Sequence, residues 1–454
     1  MSALAVQGGS AIERLRSAFE ARARGDDALT ALRRSAFERF AAEGFPTQRD
    51  DAWKYTNLRR LQARSFEQAG TLPPTVVTHA AAPDSRGFEL DGLRIVLVDG
   101  HVAEALSTLA TQPPGVTLLT LSQWARNDPQ QVAELLAARQ PTQACAFEEL
   151  NTAFFQDGVI LEVSPGATVD LPVHIVHQWA RHERPHMSHP RIIIRAGAGS
   201  RISVVEHYVG HPDTARAGEH FTNAVTLVEV GRGAHVGHYR LQSESLRTFH
   251  VGTTRVSVQA DGRYHSHDLA LGGALARLNL AALLEGPGAN VALHGLLLPD
   301  GAQHLDACTR IEHVAPDTAS YEEYRGIAAG RGRGVFNGKV VVHPGAQRID
   351  ARQSSRNLLL SPSAEIDTRP ELEIYANDVK CSHGATTGQL DAEALFYLRS
   401  RGLSEQAARA ALIRAFAESV LDALPFPAMR RHLEQRLEER FAASAEADSV
   451  PRGA

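Results

Sequence analysis

Apolar residues near the start of the chain recur at helical steps. Leu29, Leu32, Ala36 and Phe40 follow one another at intervals of three and four, which puts them on one stripe of a helix. Gly44 stands where a C-terminal cap is expected, and Pro46 blocks continuation. The Pro- and Ala-containing stretch 70–90 predicts a linker, 94–99 (RIVLVD) a buried strand, and Leu121 to Arg139 a further helical stretch. Residues 1–145 are therefore expected to form a mixed, mainly helical N-terminal domain.

From about Val159 the pattern changes. Short runs rich in Val, Ile and Leu follow one another: VILEV, RIIIR, SVVE, AVTLVEV, VSVQ, LNLAALLE, VALHGLLL, GKVVV and LEIY. They have strand length and are separated by Gly-containing turns. A Gly-Ala or Ala-Gly element recurs at Gly166-Ala167, Ala198-Gly199, Gly233-Ala234, Gly288-Ala289 and Gly345-Ala346, at irregular spacing. Such a series suits a coiled parallel β-solenoid or a large sandwich. A solenoid is an open stack whose ends need capping, a task the flanking helical segments are placed to perform.

After Gly388 the helical period returns. Leu395 and Leu398 share a face, Gly402 ends that helix, and Ser404 caps the next. In the second helix Ala408, Leu412, Phe416 and Val420 form one row, with Ile413, Ala417 and Leu421 beside it; Met429, Leu433, Leu437 and Phe441 line a third. The wide face of the second helix fits either packing between two neighbouring helices or docking of another protein. The expected organisation is an N-terminal domain (1–145), a β core (146–388), a C-terminal helical domain (389–441) and a flexible tail (442–454).

Composition narrows the function. The 454 residues are 43% hydrophobic with a formal net charge of -5, which gives no case for nucleic acid or an anionic membrane as partner. The N-terminus lacks a secretory pattern, and no run approaches the ~18 unbroken apolar residues of a spanning helix. Three dispersed cysteines, Cys145, Cys308 and Cys381, without CxxC spacing, fit a reducing cytoplasmic setting. They also set a chemical limit. An iron–sulfur cluster is normally held by about four thiolates, more than this chain alone supplies.

The richest stretch is Val379-Lys380-Cys381-Ser382-His383-Gly384-Ala385-Thr386. On a strand, side chains two apart point to one face, so Cys381 and His383 would present a thiol and an imidazole together, donors suited to iron or another thiophilic metal. Gly384 would let a partner approach closely. The bland alternative is a buried Cys and a hydrogen-bonded His. A catalytic Cys–His pair lacks an evident orienting group and oxyanion hole. His174, His177, His182, His186 and His189 match no zinc spacing, and Pro185 and Pro190 point to a solvated loop there. Tyr264-His265-Ser266-His267-Asp268 sets two histidines on one strand face, a pattern more usual at the surface. Residues 331–339 (RGRGVFNGK) superficially suggest a phosphate loop. Arg333 occupies the place of its first Gly, however, and Val340 that of its Ser/Thr, so ATP hydrolysis by this chain is not expected.

Residues 364–403 (AEIDTRPELEIYANDVKCSHGATTGQLDAEALFYLRSRGL) resemble a signature of the SufB/SufD family of iron–sulfur cluster assembly proteins. So do residues 331–361 (RGRGVFNGKVVVHPGAQRIDARQSSRNLLLS) and 147–163 (FEELNTAFFQDGVILEV). GFPTQRDDAWKYTNL, residues 44–58, is similar to a motif of the SufD branch, and the extra cysteines usual in SufB are missing. The resemblance implies a right-handed parallel β-helix between two helical domains. It also implies a non-enzymatic role in a complex with SufB, which pairs through the β-helix, and with the SufC ATPase, which docks on the C-terminal helices. There Leu395, Phe396, Leu412, Ile413 and Phe416 are the candidate contacts. Cys381 and His383 match the family's positions near the SufB contact, where iron or a nascent cluster is shared; a flavin enters by resemblance alone. Thr387 stands where a bulkier apolar residue is expected.

Two other readings compete. β-Helices also host carbohydrate-active enzymes, but aromatics are only 6% and no carboxylate pair stands out. A plain interaction scaffold would use Cys381 and His383 for packing only. In either scaffold reading, the isolated chain is expected to pair with itself through its exposed strand edge.

Overall fold

Each run in the middle of the chain pairs in parallel with the run two places further on. The computed structural model that shows this describes residues 3–22, 25–70, 88–109, 112–137, 145–180, 182–210 and 219–447. One sheet runs from Gly158–Val163 through Arg191–Ala196, His220–Val230, Thr248–Val258, Leu275–Leu284, His304–His313 and Arg333–Val342 to Glu365–Ile374. The other runs from Val173–Gln178 through Arg201–Val209, His235–Ser243, Arg263–Ala270, Asn290–Leu297, Ala319–Ala328 and Ile349–Leu359 to Val379–Gly388. The chain alternates between them, so each coil adds one strand to each sheet. This is a parallel β-solenoid of about 7 turns with helices at both ends of the chain.

Alternate residues of each strand point between the sheets, and there they are mostly apolar: Leu278, Leu293, Ile311 and Val340 all lie in one buried cluster. Because the ladders are in register, side chains stack in rows from coil to coil. One inward row is Val236, Tyr264, Val291, Ser320, Ala351 and Cys381. The Gly-Ala elements are the corners. Gly199 and Gly233 take positive φ, and the N–H of each bonds to the carbonyl of the next corner, at Arg232 and Ala260. The alanines Ala234, Ala289 and Ala346 are fully buried. Charges inside the stack are paired, as Arg240 with Asp268 at 2.6 Å and Glu244 with His250 at 2.6 Å, which offsets their desolvation.

The helices do not cap the open stack in the manner expected. They lie along its two outer faces. Phe37, Phe40 and Trp53 pack on Phe221, Phe249, Val251 and Leu275 of the first sheet. The Trp-Lys-Tyr-Thr stretch is a clamp there: the Arg277 guanidinium lies 3.8 Å from the Trp53 ring centre, and both Arg277 and the Thr56 hydroxyl donate to buried Asp306. On the second sheet, Ile413, Ala417, Val420 and Leu421 of helix Glu405–Asp422, with Met429, Leu433 and Leu437 of helix Pro427–Ala447, cover Tyr239, Leu241, Leu269, Leu296 and Ile327. The broad face of the second helix thus meets the solenoid as well as a neighbouring helix. Ser404 caps its helix as expected, Asp391 caps the one before it, and Gly402 ends that first helix with a positive φ.

The two ends of the stack differ. At the start, Val116–Thr120 runs antiparallel to Gly158–Val163, and His101–Val102 antiparallel to Leu93–Val98. The N-terminal region therefore contributes strands to the solenoid. At the other end, Glu365–Ile374 and Val379–Gly388 each pair on one side only among the described residues. The stretch from Leu121 forms two helices, Leu121–Asn127 and Pro129–Ala137, because Pro129 starts a new one. The third C-terminal helix continues to Ala447, past the expected boundary at 441. Residues 71–87 of the expected linker, 138–139 of the expected helix, and 448–454 of the expected tail lie outside the described residues.

Gly295 faces the interior, and a Cβ there would come 2.0 Å from the ring of buried Tyr324. Gly295→Ala is expected to lower stability by about 1–3 kcal/mol, read as a lower urea midpoint. Gly384→Ala, at an exposed position with nothing within 4 Å, should leave the midpoint of the monomer unchanged.

Candidate functional site

Among the described residues the last strand, Val379–Gly388, forms ladder pairs only with Ile349–Leu359. Its register sets Val379 on Ile349, Cys381 on Ala351, and His383 on Gln353. Ile349 and Ala351 belong to the inner core, so Cys381 and His383 share the inward side of the terminal strand. Cys381 is half-buried and packs against that core, whereas His383 is exposed at the open end. The pair read from spacing therefore stands on one face, at the end of the solenoid where, among the described residues, both sheets lack a next strand.

Burial raises the Cys381 thiol above its usual range; the Ala351 backbone opposes this and the Asp350 carboxylate adds to it. The group is a protonated thiol at neutral pH rather than an activated thiolate, and a bound metal would have to displace its proton. Among the described residues no third His, Cys or acidic side chain gathers with Cys381 and His383 into a metal-sized cluster.

Beneath this end the interior is polar. His383 continues the inward row Leu293, Glu322, Gln353. Gln353 Nε2 donates to Glu322 Oε2 at 2.5 Å, while Glu322 Oε1, Gln353 Oε1 and Thr368 Oγ1 are buried without a hydrogen-bond partner. Burial, opposed by Gln353 and Thr309, pushes Glu322 up to about 7. Across the core, Gly338 makes room for this arrangement, since a Cβ there would fall 2.3 Å from Gln353 Nε2. The glycine of the RGRGVFNGK stretch thus serves the interior of strand Arg333–Val342. Glu322 and Gln353 carried no local sequence signal; only coil-to-coil register brings them under His383.

The other histidines depart from expectation. His174 and His177 lie on strand Val173–Gln178 and are buried, His174 against Phe88 and His207, His177 stacked on Tyr208 at 4.2 Å. His189 is buried beside Phe154 and Asn223. His182 stacks on His186 at 3.9 Å, with its Nε2 2.7 Å from Asp99. These rings pack between elements, so the segment is no solvated loop. His265 and His267 likewise are not surface features: His267 is fully buried, His265 half-buried.

Of the residues expected to meet an ATPase, Ile413 is buried on the solenoid. Phe416 is half-buried, its carbonyl bonded to Arg325 and its ring 5.1 Å from that guanidinium. Leu395 and Leu412 are half-buried. Phe396 is 73% exposed and lies beside Tyr397, 56% exposed, with Leu403 also open to solvent.

The solenoid narrows the fold class, and comparison with known proteins gives the family. The model of the SufBD core domain of the SUF FeS cluster assembly system matches residues 178–416, and that of the SufBD N-terminal region matches 18–175. The chain belongs to the SufBD family. It is 32% identical over 405 residues to the iron-sulfur cluster assembly protein SufD of Escherichia coli, covering 88% of this chain and 90% of that protein. It is 32% identical over 414 residues to the SufBD family protein slr0076 of Synechocystis, covering 90% of each. A chloroplastic protein of Arabidopsis thaliana, ABCI7, is 28% identical over 87% of this chain and 83% of its own length. No helix among the described residues is long and apolar enough to cross a membrane.

The Glu322 carboxyl makes stability pH-dependent. It ionises near 4.5 when unfolded and near 7 when folded, so the unfolded chain sheds its proton first. The group's contribution is intact below about pH 4.5 and is lost as pH rises through about 7. Glu322→Gln should therefore stabilise the protein at pH 8 relative to pH 5 by up to roughly 3 kcal/mol, measured by urea unfolding at both values.

Proposed function

We propose that this chain is a non-catalytic scaffold in iron–sulfur cluster assembly. Its open solenoid end pairs with the matching end of SufB, and its C-terminal helices dock the SufC ATPase. The single observation that carries this reading is the placement of Cys381 and His383 on the same inward face of a terminal strand that, among the described residues, is paired on one side only. One thiol and one imidazole are half of a coordination shell. A second solenoid abutting this edge would extend both sheets and bring its own donors against them. Iron, or the nascent cluster, is the cargo of that shared site.

Helix Glu405–Asp422 supplies the mechanical link. Arg325 donates to the Phe416 carbonyl, and the Ser419 hydroxyl donates to Glu323 at 2.9 Å. Both partners are on strand Ala319–Ala328, which lies two strands from Val379–Gly388 in the same sheet. An ATPase gripping exposed Phe396, Tyr397 and Leu403 would pull on this helix as its two copies close. ATP binding then biases a two-state contact at the solenoid end, and the buried donors open to iron and sulfide.

His383→Ala should abolish or strongly reduce cluster formation in cells while leaving assembly with SufB and SufC intact, read by co-purification and by iron–sulfur absorbance of the complex. Wild-type cluster yield in that variant would remove the metal role of His383 and leave the interaction-scaffold reading.

A further inference from the structure

Three imidazoles meet on the opposite side of the second sheet from Cys381 and His383. His265 and His267 extend from strand Arg263–Ala270, and His294 stands beside His267 in register on strand Asn290–Leu297. They share the outward face with Leu269 and Leu296, which pack under the C-terminal helices. Their donor atoms all lie within 4.8 Å of one another. Neighbouring ring centres are 4.8–5.1 Å apart.

We infer that His265, His267 and His294 form a binding site for a first-row divalent transition ion of the Zn²⁺ or Fe²⁺ class. Two observations carry it. His265 Nε2 and His294 Nδ1 are buried without a hydrogen-bond partner, and buried His267 meets the Val420 backbone. Buried polar atoms are almost always satisfied, so a cluster of this kind signals a ligand. Two of the rings lie two positions apart on one strand and the third lies on the adjacent strand, all on one face, which supplies the three imidazoles of a three-histidine centre.

The donor set selects the ion. Neutral imidazoles suit Zn²⁺, Fe²⁺, Ni²⁺ or Cu²⁺ and disfavour Mg²⁺ and Ca²⁺, which want oxygen. Metal–nitrogen bonds of about 2.0–2.1 Å place tetrahedral donors about 3.4 Å apart, so the rings must close by roughly 1 Å. Small neighbours allow that movement, since His265 is flanked in its row by Gly237 and Ala292. Glu323 is next to His294 in register, held by Ser419, Tyr321 and Arg325, and its negative charge acts on His294. Carboxylates so placed tune metal-binding histidines. Helix Glu405–Asp422 lies over the cluster, with the Val420 backbone near His267, and Phe426 closes on Tyr239, which stacks on His267.

The test uses the full-length chain without an affinity tag, stripped of metal, titrated with Zn²⁺ against a chromophoric chelator, with Co²⁺ followed by visible absorption, and with Fe²⁺ under anaerobic conditions. About one tight equivalent is expected. The doubly substituted His265→Asn, His294→Asn chain should bind roughly 100-fold more weakly or worse, with an unchanged urea midpoint in the absence of metal. His383→Ala should bind as wild type, which separates this site from the one at the solenoid end. X-ray absorption of the Zn²⁺-loaded wild type should show nitrogen and oxygen ligands only, and this readout stands whether or not the variant folds. No saturable binding, unchanged binding in a folded double variant, or sulfur in the shell would overturn the assignment. The better competitor of Zn²⁺ and Fe²⁺ identifies the resident ion.

Discussion

A parallel solenoid cannot close on itself. Each strand satisfies its backbone only by pairing with the coils before and after it, so the last coil always leaves one row of N–H and C=O groups unspent. In this chain the start of the stack is sealed by antiparallel strands, while the finish, Glu365–Ile374 and Val379–Gly388, is left open. The helices that might have covered it lie on the outer faces instead. Cys381 and His383 sit at that edge, so on the proposed reading the constraint that leaves the edge open also leaves their donor set for a second chain to complete.

Much of this was legible in the chain. The strands followed from runs of Val, Ile and Leu, the corners from Gly-Ala steps, and the pairing of Cys381 with His383 from their spacing on a strand. What was not legible depended on coil length. Tyr264 aligns with Val291 and Ser320, then Ala351 and Cys381, at steps that vary by a few residues. This variation hides a repeat from the eye. It also conceals every contact made between coils, such as Glu322 on Gln353 and His294 on His267. Histidine-rich stretches looked solvated because their partners, Phe88, His207 and Tyr208, lie far away in sequence. The wide face of the second C-terminal helix was correctly seen as apolar, but its cover is the solenoid, and Ile413 is spent there.

On the proposed reading, the same helix links the two contact regions. It is fixed to strand Ala319–Ala328 by a guanidinium–carbonyl bond, a hydroxyl–carboxylate bond and a stripe of small and branched residues. Its outer neighbour, helix Ala392–Ser400, keeps no buried residue and turns Phe396 and Tyr397 to solvent. A packed inner contact beside a solvent-facing outer helix, tied to it by the Arg399–Glu405 ion pair, is the arrangement the proposed reading needs to carry displacement inward without unfolding the sheet, because packed sheets shift as units.

The most direct measurement is backbone hydrogen–deuterium exchange of Val379–Gly388 in dilute monomer and again after adding purified SufB. The amides that face away from Ile349–Leu359 should exchange rapidly in the monomer and become strongly protected in the pair. Slow exchange in the monomer, or no change on adding SufB, would contradict an edge that only a second polypeptide completes.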